Sequence, residues 1–232
     1  LDNAKSMNMI VKQSREEIEE LVQSTLGQNS FDVTECNIMI LLAGTTPIDT
    51  SALITDKPID LFVIITPIKF FPSKSYEKGI ALGLFDYKRL DGELKTPFTY
   101  FGGLKAQHSV VRNTNYDEAL YTSNNMVLEG TTFSFFGIMN DGTVITPPAD
   151  GKILKSVTRL VLLDLLKKAE LKVLESHISI EKALECREAF IVSANRDVIP
   201  VISIEGHVIG DGLVGNQTKS IMGLYQDVIN AL

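Results

Sequence analysis

Four short stretches hold residue types that can do chemistry. Lys95 ends a charged segment, YKRLDGELKTP, just before the second half of the chain. A lysine that loses solvent at a domain interface drops in pKa and becomes a nucleophile able to form a Schiff base; one that keeps its solvent is only a surface charge. Glu129 closes the apolar run Val127-Leu128 and precedes Gly130, so its carboxylate either points into a cleft or ends a strand in water. Lys155-Ser156-Val157-Thr158-Arg159 leads straight into a strong helical pattern. Unpaired N–H groups and hydroxyls at such a start make an anion cradle, although Ser156 also suits a purely structural N-cap. Ser193-Ala194-Asn195-Arg196-Asp197 abruptly ends an apolar strand. It reads as a simple turn, or as a place where backbone N–H groups and Arg196 receive a carboxylate. His108, His177 and His207 are scattered and form neither a Ser/His/Asp set nor a metal-ligand spacing.

The elements that position these residues follow from periodicity. Leu1, Ala4 and Met7 lie at helical spacing with no capping residue before them, as in the tail of a helix. Ser14-Arg15-Glu16-Glu17 is a capping box, and Ile18, Leu21, Val22 and Leu26 continue it as an amphipathic helix over 15–28. The apolar runs 37–43, 61–67 and 79–86 predict strands, the first of them buried, with 45–60 as a surface connection. A helix over 99–113, strands at 117–121 and 127–130, and a strand at 132–138 follow. Asn140-Asp141-Gly142 turns this last strand into TVITP. The clearest helix is 157–169, whose apolar face ends in Lys167 and Lys168, complementing its dipole. A strand at 172–178, a short helix opened by Ser179, strands at 189–194 and 198–206, and a helix over 216–230 complete the chain. Turn-joined strands in the second half predict an α+β fold with antiparallel character rather than a doubly wound sheet. No G-x-G-x-x-G or G-x-x-x-x-G-K-[ST] occurs.

Composition sets outer limits. With 232 residues, 44% apolar and 22% charged, the chain has material for one or two domains and is not an intrinsically disordered one. A net charge of -7 argues against a broad basic face for nucleic acid. No apolar run reaches the roughly 18 residues of a membrane span. Cys36 and Cys186 lie far apart, fit a reducing cytosol and suggest neither a disulfide framework nor a zinc site.

In order, the pieces resemble the class IV aminotransferases, pyridoxal-phosphate enzymes of fold type IV that include branched-chain and D-amino-acid aminotransferases and aminodeoxychorismate lyase. The resemblance runs through 95–219. Lys95-Thr96 with Thr99-Tyr100 is similar to the family's Lys-x-x-x-Asn-Tyr, and Asp117-Glu118-Ala119-Leu120 to its Asp/Glu-Glu-Ala strand. Val127-Leu128-Glu129-Gly130-Thr131-Thr132 resembles Val-Thr-Glu-Gly-Ser-Ser. Thr146-Pro147-Pro148, Ile153-Leu154, Val157-Thr158-Arg159, Pro200-Val201 and Ile204-Glu205-Gly206 through Thr218-Lys219 continue the string. Asn3–Met9 is similar to the family's Ser-Ala-x-x-Leu-Gly-Ile; the His-x-x-Arg-Leu that precedes it in relatives, whose Arg grips the cofactor phosphate, would lie before Leu1.

The resemblance implies an N-terminal α/β sandwich lacking its start over 1–87, a linker at 88–97, and a cofactor-binding pseudo-barrel over 98–232. It implies pyridoxal 5'-phosphate as cofactor, with Lys95 as the Schiff-base lysine and Glu129 facing the pyridine nitrogen. Ser156, Val157 and Thr158 would hold the phosphate, and Tyr100 would reach the phenolic oxygen. Ala194, Asn195 and Arg196 would meet phosphate or substrate carboxylate. An amino donor and a 2-keto acid acceptor would be substrates, and a cytoplasmic homodimer with neither nucleic acid nor membrane as partner the working form. Departures are Ala194 for a common Thr, Ser134 for Asn, Ser156 for Gly, and Ile38 where some relatives carry a carboxylate-binding Arg. They leave open a lyase that releases pyruvate, or a non-catalytic relative that keeps the fold.

Overall fold

The computed structural model describes residues 1–32, 35–44, 58–97, 100–112 and 114–231. They form two compact units, Leu1–Lys69 and Phe70–Leu232. Most of the expected connection at 45–60 lies outside the described residues.

The first unit holds α1 (Asp2–Ser6), α2 (Arg15–Gly27) and an antiparallel pair, β1 (Cys36–Ala43) and β2 (Asp60–Pro67), with Ile40 opposite Val63. The capping box forms: the Ser14 hydroxyl accepts from the Glu17 N–H, and the Glu17 carboxylate accepts from the Ser14 N–H at 2.7 Å. The strand at 36–43 is not buried as its apolar run suggested. Ile38, Met39 and Ile40 are about half exposed, because β1 pairs with β2 and, among the described residues, with no further strand.

The second unit is built on a ten-stranded mixed sheet. Its strands are β3 (Ile80–Asp86), β4 (Glu118–Ser123), β5 (Met126–Gly130), β6 (Ser134–Ile138), β7 (Val144–Thr146), β8 (Val173–Glu175), β9 (Ile178–Ser179), β10 (Glu188–Ser193), β11 (Asp197–Ile204) and β12 (His207–Val208). They run in the order β8-β7-β6-β10-β11-β3-β4-β5-β9, with β12 beside β11. The pairings β11–β3, β3–β4 and β7–β8 are parallel and the others antiparallel. Leu82, Leu120, Phe135 and Ile191 bury themselves on one side. Phe136, Phe190, Leu162 and Ile221 do so in a second cluster, under the helices α5 (Val157–Lys168) and α7 (Asn216–Asn230). Two short helices, α3 (Ser73–Lys78) and α6 (Ile180–Leu184), complete the unit with α4 (Tyr100–Ala106).

The α+β class is as expected, and three details differ. The division falls between Lys69 and Phe70, so β3 belongs to the large sheet and not to the first domain. Residues 88–97 are not a free linker: Arg89 is buried, and a Cβ on Gly92 would lie 2.6 Å from the Lys152 carbonyl oxygen. The helix expected over 99–113 changes at Gln107 into a π-helical turn, 107–111, closed by Arg112 N–H to the Gln107 carbonyl at 3.0 Å. Residues 99 and 113 lie outside the described residues. No helix among the described residues is long and apolar enough to cross a membrane.

Candidate active site

Glu129 is the second-last residue of β5, between β4 and β9, and is 4% exposed. A carboxylate so placed needs partners. Arg89, carried in from the segment after β3, supplies them: its Nε donates to Glu129 Oε1 at 2.8 Å and its second guanidinium nitrogen donates to the same oxygen. The other carboxylate oxygen accepts the Leu154 N–H at 3.2 Å. Burial pushes the Glu129 carboxyl above the ordinary range, while Arg89 and the Leu154 N–H pull it back. The outcome is a carboxylate more basic than one in water, with lone pairs still open. Beside it, burial raises the Tyr121 phenol well above its usual value, and its ring meets Tyr87 edge-on at 5.2 Å.

The Lys95 segment and the loop before α5 pack against each other. Arg89 donates to the Gly92 carbonyl at 3.1 Å, Gly92 lies flat on Lys152, and Glu93 pairs with Lys155 at 3.4 Å. Only Gly tolerates that approach of two backbones. Lys95 itself is exposed, and its amine has no hydrogen bond or ion pair among the described residues. Leu154, whose N–H touches Glu129, is two residues before Ser156, the N-cap of α5. The Ser156 hydroxyl accepts from the Arg159 N–H at 3.4 Å. The N–H groups of Val157 and Thr158 are among those that a helix start leaves without intrahelical acceptors. Val157 is 75% exposed. The Thr158 hydroxyl is buried and shares a hydrogen bond with Tyr225. The structure thus gathers Glu129, the Lys95 segment and the α5 N-terminus into one region. Tyr100 stands exposed at the start of α4, with no described contact to that group.

Ala194 and Asn195 are exposed in the β10–β11 turn, where the Asn195 side chain accepts from the Ser193 hydroxyl at 3.1 Å. Arg196 does not face outward to receive a carboxylate. It is 7% exposed, and its guanidinium donates to Glu118 Oε1 at 2.7 Å. The physical reason is that Glu118, buried on β4, needs a counter-charge and Arg196 is the cation that meets it.

Sequence reasoning missed Arg89. The signal was a lone Arg six residues before Lys95, hidden in a run of charges that looked solvated. The partnership of Glu118 with Arg196 left no signal beyond one charge at the start of an apolar strand and another in a polar turn.

The residues present fit pyridoxal phosphate. Lys95 keeps its solvent, unlike the desolvated lysine that the sequence suggested; what suits the cofactor is an amine with no partner among the described residues for its aldehyde, a carboxylate with raised basicity for its ring nitrogen, and N–H groups without intrahelical acceptors at the start of a 12-residue helix for its phosphate.

The sequence profile described as amino-transferase class IV matches residues 2–204. The chain belongs to the class IV aminotransferase family. Among family members, it is similar to the putative branched-chain-amino-acid aminotransferase of Methanocaldococcus jannaschii, 28% identical over 98% of this chain and 78% of that protein. It is also similar to D-alanine aminotransferase of Bacillus licheniformis, 28% identical over 68% of this chain and 55% of that one. Its fold matches a PLP-form branched-chain amino acid aminotransferase from Thermobaculum terrenum with TM-score 0.87 and 21% identity, covering 99% of this chain and 75% of that one. Fold type IV is therefore the architecture of this member too.

Proposed function

We propose that the protein is a pyridoxal-phosphate aminotransferase that moves an amino group from an amino acid or amine to a 2-keto acid. The observation that carries this is Glu129, a buried carboxylate held by Arg89 and the Leu154 N–H beside the N-terminus of α5. When bound, the cofactor supplies an aldehyde that joins to amines and a ring that draws electrons from the substrate's Cα. Glu129 holds the proton on the ring nitrogen, which keeps the ring electron-poor. The Lys95 amine would hold the cofactor through its aldehyde and, once released, would move the proton at the substrate Cα. Ser156, Val157 and Thr158 bind the phosphate through the start of α5, and the Ala194–Asn195 turn offers backbone N–H groups to an anion. The names of the relatives, which include branched-chain and D-alanine aminotransferases, support an amino acid as donor and leave its hand to assay. A homodimer in the cytoplasm is the working form we infer from the family and from the free cysteines Cys36 and Cys186.

The test is an absorption spectrum of the protein with added pyridoxal phosphate, repeated with Lys95→Ala. A new band that borohydride traps on Lys95, absent in the variant, is the expected result. No uptake by the unsubstituted protein would overturn the proposal. Release of pyruvate without any keto-acid acceptor would instead point to the lyase. Sedimentation showing only monomer at micromolar concentration would count against the dimer.

A further inference from the structure

The Arg196 guanidinium is packed among rings and hydrogen-bond acceptors. Its central carbon lies over the rings of Phe71 and Phe133, 4.6 and 5.6 Å from their centroids. One terminal nitrogen donates to Glu118 Oε1 at 2.7 Å. The other donates to the Thr132 hydroxyl, to the Thr132 carbonyl at 3.4 Å and to the Ser193 hydroxyl at 3.5 Å. Nε has no acceptor among the described residues. The second oxygen of Glu118 accepts from Gln107 at 3.2 Å and from the Thr131 hydroxyl at 3.3 Å. One buried ion pair therefore ties together the β10–β11 turn, the 131–132 loop, β4 and the π-helical turn, all within the second unit.

The loop it grips is the one that follows Glu129. The Gly130 N–H donates to the Phe133 carbonyl at 2.8 Å, and the Phe133 ring lies so close on Gly130 that a Cβ there would sit 2.0 Å from it. The Phe133 ring beside Arg196 thus also packs on the residue next to Glu129. On the other side, the Arg196 N–H donates to the Ser193 carbonyl at 3.2 Å and closes the turn that presents Ala194 and Asn195. Ala194 has no side-chain donor, so at that position the turn offers an anion only its backbone N–H, and the reach of that group depends on where the turn sits. A buried ion pair is a weak source of stability, since desolvation offsets most of its attraction. What a planar guanidinium supplies instead is fixed geometry, with several directed bonds in one plane and aromatic rings packed beside it.

We propose that Arg196 is a positioning residue: with Glu118, Thr132 and Phe133 it fixes the Ala194–Asn195 turn relative to the 130–133 loop, and so sets the separation between the turn's anion-binding backbone and the Glu129 carboxylate. Arg196 touches neither ligand nor reacting atom. The assignment rests on the pyridoxal-phosphate reading of the site, and its test is arranged so that the two fail separately.

Two variants are needed. Arg196→Lys keeps the charge and loses the plane. The double variant Glu118→Gln/Arg196→Met removes both charges and leaves no buried ion unpaired, so it folds even where the single change does not. In the apoprotein, amide hydrogen exchange at 131–132 and 193–195 is expected to quicken at least tenfold in both variants, with α2 unchanged. Affinity for pyridoxal phosphate, followed by fluorescence titration, is expected to fall at least tenfold, while affinity for pyridoxal, which lacks the phosphate, stays within twofold. A merely structural role would lower the melting temperature and weaken both ligands alike. Unchanged exchange in both turns of the folded double variant, or equal loss of the two ligands, overturns the assignment. If the unsubstituted protein takes up neither ligand, the aminotransferase reading fails, and the exchange rates still decide whether Arg196 fixes the two turns.

Discussion

At the scale of single residues, the pairing of Arg89 with Glu129 makes opposite demands on stability and on chemistry, and substitution can separate them. Arg89→Met leaves Glu129 buried with the Leu154 N–H as its remaining donor among the described residues. Breaking a buried pair this way costs about 3 kcal/mol at neutral pH. The sign of its pH dependence follows from linkage. Glu129 is already raised by burial, and losing Arg89 raises it further. The protonated carboxyl then suits the folded state, so its contribution is fully present below the unfolded value of about 4.3 and is lost as pH rises through the raised native value. Urea unfolding of the apoprotein at pH 5 and pH 8 should show the larger deficit at pH 8; equal deficits would contradict the account. Arg89→Met/Glu129→Gln should regain most of that stability, because no charge is left buried alone. It should still lose transamination on the order of 100-fold, the usual scale for a group that holds a proton in place. Lys95 and Glu129 could be singled out in the sequence because their spacing fell into a known order; their roles stay proposals. Arg89 and the inward turn of Arg196 were not, because ion pairing across 40 and 78 residues leaves no local pattern.

At the scale of elements, capping was the most legible feature and curvature the least. Ser14 and Ser156 both cap their helices as their sequences suggested, since a cap is a local bond. The expected strand at 172–178 proved to be two pieces, β8 beside β7 and β9 beside β5. The Ser176 N–H makes the last bond to β7, to the Thr146 carbonyl at 3.0 Å, and Ile178 then pairs with Val127 of β5, a change of partner that sequence cannot show. The two caps give a paired prediction. Ser14→Ala removes the hydroxyl half of a capping box, keeps the backbone N–H that the Glu17 carboxylate accepts, and should cost about 1 kcal/mol in urea unfolding, with pyridoxal-phosphate affinity unchanged. Ser156→Ala loses a longer bond and should cost no more than about 1 kcal/mol, yet on the proposal that the first turn of α5 holds the phosphate it should weaken pyridoxal-phosphate binding several-fold. Equal affinities in the two variants would remove α5 from the cofactor site.

At the scale of the whole molecule, the order of helices and strands was legible and the division into units was not. Residues 88–97 have the composition of a linker, but Arg89 and Gly92 fasten them into the second unit; composition reports solvation preferences, and a single buried ion pair overrides them. The two units also differ in what holds them. Among the described residues, the buried apolar side chains of the first unit are Ala4, Ile18 and Ile59, whereas the second carries extended clusters on its sheet. Each unit happens to contain one cysteine. Cys36 begins β1 and is half-buried. Cys186 lies in the large core, its thiol 3.5 Å from the Lys182 carbonyl, and burial pushes its pKa up to about 12. A thiol reacts as thiolate, so at pH 8 Cys186 is protected by both chemistry and packing until the second unit opens. Pulses of iodoacetamide across a urea series, read by mass spectrometry of the two peptides, therefore follow each unit separately. Cys36 should be modified at urea concentrations where Cys186 remains untouched, because the described residues of the first unit bury little apolar surface beside those of the second. A single coincident midpoint would instead mean that the small unit draws its stability from the large one and that the two unfold as one cooperative body.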